Sequence, residues 1–333
     1  MTNASISRWL VSTLLLTVLP IAGLRAQDCG CKAGGYVTPE TALDSLEHLT
    51  KGRYTFIVVN DENRFGRNGQ RKGAQTLGDV AEATGAEFIV SNGDTFHYLG
   101  VASVQDPVFK TGFEDIYTHP ETQIPWYFTL GNHEHRSNGQ ALIDYSKISA
   151  RWNMPYFYYK IDVRDPDGVS ADLFLIDTPS LIDKYRDNPE EYPQSSLLDR
   201  EEQLRWLDTE LAKSTADFKI VLGHHPIFAE TSKDESECLD MQKYVLPLLQ
   251  KYGVDLYFSG HIHNFQVIKK PGNKTVFVTN STISKTRDVS PVDGTVFALN
   301  SQGMTVVSIS QETCDVYLVD NNAHILYRER LSH

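Results

Sequence analysis

Five short polar clusters recur along the chain: Asp61; Asp94 with His97; Asn132–His133 with His135 close by; His224–His225; and His261 with His263. Seven of the 11 histidines lie in them, and only His48, His119, His324 and His333 lie elsewhere. Carboxylate, amide oxygen and imidazole together suit a hard or borderline metal ion. Two aspartates, an asparagine and several histidines exceed one tetrahedral site. They fit two adjacent metals sharing one carboxylate. Such a pair, about 3.5–4 Å apart, clamps a phosphoryl group and turns water into hydroxide. Taken singly, each cluster has a plainer explanation. Asp61 alone reads as a turn or cap residue, Gly131–Asn132 as turn chemistry, and His261–Ile262–His263 as a half-buried loop or a ligand pair.

Position joins them. Each cluster follows a short apolar run rich in β-branched and aromatic residues: "YTFIVV", "EFIVS", "PWYFTL", "FKIVL" and "DLYFS". "DLFLID" and "TVFVT" are two more such runs. These read as buried strands, and ligands bind beyond the carboxyl ends of strands in open α/β sheets. Helical patterns lie between. "REEQLRWLDTELAK" puts Leu204, Leu207 and Leu211 on one face. "MQKYVLPLLQKYG" carries Pro247, which predicts a kink or break, and ends at Gly253. Alternating strands and helices imply an α/β sandwich with helices over the sheet faces.

Composition narrows the class. The chain has 333 residues, 41% hydrophobic, and a formal charge of −12. Residues 1–26, with Arg8 ahead of "WLVSTLLLTVLPIAGL", have the pattern of a secretory signal peptide cleaved near Ala26–Gln27. Residues 27–333 are then expected to form a single secreted or periplasmic domain. Losing Arg8 and Arg25 makes that domain more acidic still, which argues against nucleic acid as a stable partner. It does not exclude anionic substrates, because metal ions supply local positive charge. No later segment reaches the roughly 18 apolar residues of a membrane span. Four cysteines, Cys29, Cys31, Cys238 and Cys314, allow three connectivities; one or two staples near the termini are the expectation. Asn273 and Asn280 fit glycosylation acceptors if the source glycosylates.

From about Tyr54 to beyond Asn280 the chain resembles the calcineurin-like metallophosphoesterases, and among them the small, tartrate-resistant type of purple acid phosphatase. "GDTFHYLGV", "WYFTLGNHEH", "DYSKISARWNMP", "VLGHHPIF" and "LPLLQKYGVDLYFSGHIHN" carry the resemblance. It implies a four-layer α/β/β/α sandwich of two mixed sheets flanked by helices, acting on a small phosphorylated substrate with two metal ions. Asp61 would bind the first metal and Asp94 both. Asn132, His224 and His261 would bind the second, and His263 the first. His133 would contact the phosphate and protonate the leaving alcohol. Phosphomonoesters are the expected substrates. Phosphodiesters or nucleotides are the rival class, and a non-catalytic phosphate-binding protein is a third reading.

Three departures qualify the likeness. Purple enzymes carry a tyrosine three residues after the bridging aspartate, whose phenolate binds ferric iron and gives the colour. Here that residue is His97, the candidate fourth ligand of the first metal, with Tyr98 as a packed neighbour. Ferrous iron, zinc or manganese then suit the site better than ferric iron. The loop after Asp61 is long and basic, with Arg64, Arg67, Arg71 and Lys72, and Asn63 stands where many relatives place a histidine. Finally, "FAETSKDESEC" lacks the histidine that mammalian-type enzymes place there to assist the leaving group. His225 and His135 are candidates to replace it, directly or by orienting other groups.

Overall fold

The computed structural model describes residues 39–332. The leader, Cys29 and Cys31 lie outside the described residues. The strands in chain order are β1 (Tyr54–Val59), β2 (Phe88–Asn92), β3 (Trp126–Thr129), β4 (Trp152–Asn153), β5 (Tyr159–Arg164), β6 (Ser170–Ile176) and β7 (Phe218–Gly223). They continue as β8 (Leu256–Ser259), β9 (Phe265–Lys269), β10 (Val276–Thr279), β11 (Thr295–Leu299), β12 (Gly303–Ile309), β13 (Thr313–Asp320) and β14 (Ile325–Ser332). All seven apolar runs read as strands are strands.

They form two seven-stranded sheets, ordered β14-β13-β12-β1-β2-β3-β4 and β11-β9-β10-β8-β7-β6-β5. Both are mixed. In the first, β1, β2, β3 and β4 run parallel while β12 pairs antiparallel with β1. In the second, β6, β7, β8 and β10 run parallel while β5 and β9 pair antiparallel at the flanks. The parallel centres bring the carboxyl ends of β1, β2 and β3, and of β7 and β8, to one end of each sheet. These are the ends that the polar clusters follow.

Period-two alternation sorts the second sheet's side chains between two cores. Leu173, Leu175, Ile220, Leu222, Leu256 and Phe258 join the core that also holds Phe56, Val58 and Val90 of the first sheet. Phe174, Ile176, Val221, Tyr257 and Phe277 point the other way. There they meet Leu207 and Leu211 of a helix at Arg200–Lys213, Met241 of one at Ser236–Tyr244, and Leu249 of one at Leu246–Tyr252. The expected face of the first of these is not purely apolar. Leu204 is only partly buried, whereas Gln203 is buried, bonded to the backbone of Asp177 at 2.7 and 3.1 Å. The other two are separated at Val245, with Pro247 in the first turn of the second, so the proline breaks the run as expected.

Two expectations are corrected. Cys238 and Cys314 are buried free thiols, so neither contributes a staple. Asn280 is fully buried, and its amide donates to Val58 O at 3.0 Å and Asn60 Oδ1 at 2.6 Å, which leaves nothing for a glycan to reach. No helix among the described residues is long and apolar enough to cross a membrane.

Candidate metal centre

The chain turns sharply where the strands deliver their polar residues. Asp61, Asp94, His261 and His263 all have positive φ, between 53° and 68°. This left-handed backbone is uncommon for non-glycine residues and recurs at functional sites. Glycines make the close approach possible. A Cβ on Gly131 would lie 2.1 Å from Asp94 Oδ1, and one on Gly93, itself at φ +90°, 2.5 Å from His224 Nδ1. The Gly-Asp and Gly-Asn-His pairings are thus steric requirements of neighbouring ligand loops.

Asp94 Oδ2 lies 3.2 Å from His224 Nε2, 3.7 Å from His97 Nε2 and 3.7 Å from His133 Nε2. Asp61 Oδ1 lies 3.0 Å from His263 Nε2 and 3.8 Å from His97 Nε2. His224 Nε2 is 3.3 Å from His261 Nδ1. Ligand atoms of Asp61, Asp94 and His224 lie within 4.8 Å of one another, as do those of Asp61, His97 and His263.

The hydrogen bonds sort the seven histidines. A carbonyl or carboxylate oxygen only accepts, so the ring nitrogen facing it carries the proton. His224 Nδ1 donates to Asn92 O at 3.0 Å, His263 Nδ1 to Lys285 O at 2.7 Å, His133 Nδ1 to Tyr98 O at 2.6 Å, and His261 Nε2 to Glu237 Oε2 at 2.8 Å. Each turns its other nitrogen inward: His224 Nε2 and His133 Nε2 toward Asp94, His263 Nε2 toward Asp61, and His261 Nδ1 toward His224. His97 has both nitrogens buried and unpartnered. His135 and His225 differ. His135 is bonded to Asp177 at 2.7 Å and Ser195 at 2.8 Å, and His225 to Thr178 at 2.8 Å and Tyr185 at 3.0 Å. Neither keeps a free nitrogen, although His225 lies beside His224 and His261. Of the seven, His133 is the most exposed, its side chain 17% open to solvent.

Asn132 Oδ1 is also buried without a hydrogen-bond partner, and Asp61 Oδ1 has the His263 ring nitrogen beside it at 3.0 Å. Unpaired buried polar atoms are rare and costly. Here carboxylate, amide and imidazole acceptors converge, the donor set that metal ions satisfy. The residues present fit two metal ions. Electrostatics agree: burial alone would raise Asp61 and Asp94, but His263 and His224 beside Asp61, and His224 and His133 beside Asp94, hold both carboxyls well below their ordinary value. For His224, burial is outweighed by Asp94 and Asp61, which lift the imidazole to about 9.

Several supports are not visible in the motifs. Glu134 is fully buried and accepts from the amides of Asp94, Phe96 and Gly131 at 3.0, 2.8 and 2.8 Å, tying two ligand loops together. Asn92 bridges the sheets, donating to Gly223 O and Phe258 O. Glu237 is held by Lys184 and Tyr185 at 2.7 and 2.6 Å. In the sequence it is one acidic residue among several in "FAETSKDESEC". The segment after Asp94 is a turn, not extended, and Tyr98 is exposed beside His133 instead of packed in. Of the four basic residues expected in the loop after Asp61, Arg64 is buried and Arg67 is exposed there, whereas Arg71 and Lys72 are exposed in the first turn of a helix at Gln70–Thr84. Lys233 places Nζ 2.9 Å from His261 Nδ1, and burial lowers its ammonium to about 8.

Comparisons with known proteins identify the family. Residues 54–265 match the model of the calcineurin-like phosphoesterase family. Purple acid phosphatase 7 of Arabidopsis thaliana is 34% identical over 87% of this chain and 90% of its own. Human tartrate-resistant acid phosphatase type 5 is 37% identical over 68% and 72%. Among solved structures, GAP50, the anchor in the inner membrane complex of Plasmodium, has the same fold, with a TM-score of 0.72 at 24% identity, over 84% of this chain and 89% of its own. The chain belongs to the calcineurin-like phosphoesterase family, alongside the purple acid phosphatases, and is a metal-dependent phosphoric ester hydrolase.

Proposed function

We propose that this chain is an exported phosphomonoesterase with a dinuclear centre. The observation that carries this reading is the convergence of buried ligand atoms: Asp61 Oδ1, Asp94 Oδ2, a ring nitrogen of His97, and the inward ring nitrogens of His224, His261 and His263, with the unpaired Asn132 Oδ1 on the adjoining loop. Asp61, His97 and His263 would hold one metal ion, and Asn132, His224 and His261 the other, with Asp94 shared. Iron, zinc or manganese suits these donors. Bound metal ions supply Lewis acidity and an acidified water.

The protein's own groups do the rest. Asn92, Lys285 and Glu237 fix the imidazole tautomers. Glu134 keeps the Asp94 and Asn132 loops in register. His133 is anchored through Nδ1 and partly open to solvent, so its Nε2 can meet a substrate oxygen and pass a proton to the leaving alcohol. His135 and His225, with both nitrogens engaged, act as positioning residues. His225 packs against His261, ring centroids 4.2 Å apart. The leader over residues 1–26 would carry residues 27–333 out of the cytoplasm as one domain.

Metal analysis combined with parallel assays of nitrophenyl phosphate and bis(nitrophenyl) phosphate tests the reading. Faster monoester than diester turnover is expected. A diester preference would replace phosphomonoesters with the rival substrate class.

A further inference from the structure

Two cations, Arg64 buried and Lys233 half-buried, reach this centre from different loops without a carboxylate partner. Arg64 is 5% exposed. Its Nη1 donates to Asn63 O at 3.3 Å, its Cζ lies 5.7 Å from the Tyr98 ring centre, and its Nε has no partner. Lys233, in the loop between β7 and the Ser236–Tyr244 helix, touches only the ring nitrogens of His261, at 2.9 and 3.1 Å. Two other arginines with little exposed side chain are paired with carboxylates. Arg53 pairs with Asp315 at 2.9 Å and Arg151 with Glu114 at 2.7 Å. Cations are seldom buried unless paired.

The nearby carboxylates are committed. Asp61 holds His263 and the amide of His261, while Asp94 holds His224 and the amide of His133. Lys233 has a further conflict. The His261 nitrogen it contacts most closely is the one turned toward His224, which a metal ion would use. The ammonium cannot share that lone pair and needs another acceptor. Arg287, exposed on the segment after β10 with its amide bonded to His263 O at 3.0 Å, adds a third positive charge to the same rim. One reacting phosphoryl group, facing the inward ligand atoms, leaves these cations in excess.

We propose that the preferred substrates are phosphate esters whose alcohol part carries a second anionic group, a carboxylate or phosphate, held by Arg64, Lys233 and Arg287. This rests on the phosphoesterase reading of the same centre and adds a substrate class to it.

The test compares 3-phosphoglycerate with glycerol 3-phosphate, which offer the same kind of ester with and without a carboxylate. For the metal-loaded protein, kcat/KM is expected to be about tenfold higher for 3-phosphoglycerate, the scale of one charge-assisted hydrogen bond. Arg64→Gln, Lys233→Gln and the exposed Arg287→Gln should each shrink that ratio. Equal kcat/KM in the unaltered protein, or losses that are the same on both esters in every variant, would overturn the proposal. A calorimetric comparison of phosphonoacetate with methylphosphonate is independent of turnover. About tenfold tighter phosphonoacetate binding, weakened in the variants, supports the anion rim, and equal affinities overturn it. If neither ester is hydrolysed, the phosphatase reading fails, and this binding comparison still decides the proposal.

Discussion

Glu237 aims His261. Its Oε2 accepts the Nε2 proton of His261 at 2.8 Å, which leaves Nδ1 facing His224 Nε2 across 3.3 Å. Glu237 is itself fixed by Lys184 and Tyr185. The carboxylate thus chooses the tautomer that a metal ligand needs, from a helix beyond the centre.

Glu237→Ala should therefore weaken one of two metal-binding events about 10–100-fold, the usual effect of losing such an outer partner. Metal titration followed by calorimetry reads this directly. Two unchanged affinities would show that His261 is oriented by something else.

Glu134→Ala should destabilise the fold. Three buried amides, of Asp94, Phe96 and Gly131, would lose their acceptor, at about 1–3 kcal/mol each. Chemical denaturation should show a lower midpoint at unchanged slope. A stability within about 0.5 kcal/mol of the unaltered protein would mean that water replaces the carboxylate.

By the sequence resemblance His97 would stand where purple enzymes carry the phenolate ligand, and Tyr98 is exposed. Iron-loaded protein should lack an intense visible charge-transfer band, and His97→Tyr should gain one on loading with ferric iron. A purple unaltered protein would place Tyr98, not His97, on the metal.

His133→Ala should slow alkyl phosphates more than nitrophenyl phosphate, because only the alkoxide needs a proton on departure. Kinetics across a series of leaving groups measure this. Equal losses throughout would assign His133 to phosphate binding alone.

Much of this was legible in the sequence. The apolar runs mark the strands because β-branched and aromatic residues repeat at the right length, and the polar clusters mark their carboxyl ends. Pro247 marks a helix break because it has no amide to donate. What escaped was tertiary. Glu134, Glu237 and Lys233 sit in polar stretches that read as solvated loops or helix faces. Their meaning comes from which backbone or ring nitrogen they meet across the fold. Asn280 looked like a glycosylation site because three residues carry that pattern, while burial between two sheets decides the matter. His135 and His225 were candidates to act directly or to orient other groups, and their hydroxyl and carboxylate partners separate them from the inward-facing set.

Metal stoichiometry of purified protein, measured with phosphomonoester turnover on the same samples, tests the central claim most directly. The account predicts two metal ions per chain. It also predicts that Asp94→Asn, which removes the shared carboxylate, loses metal and nearly all turnover together. Full turnover by metal-depleted protein, or by Asp94→Asn, would contradict it.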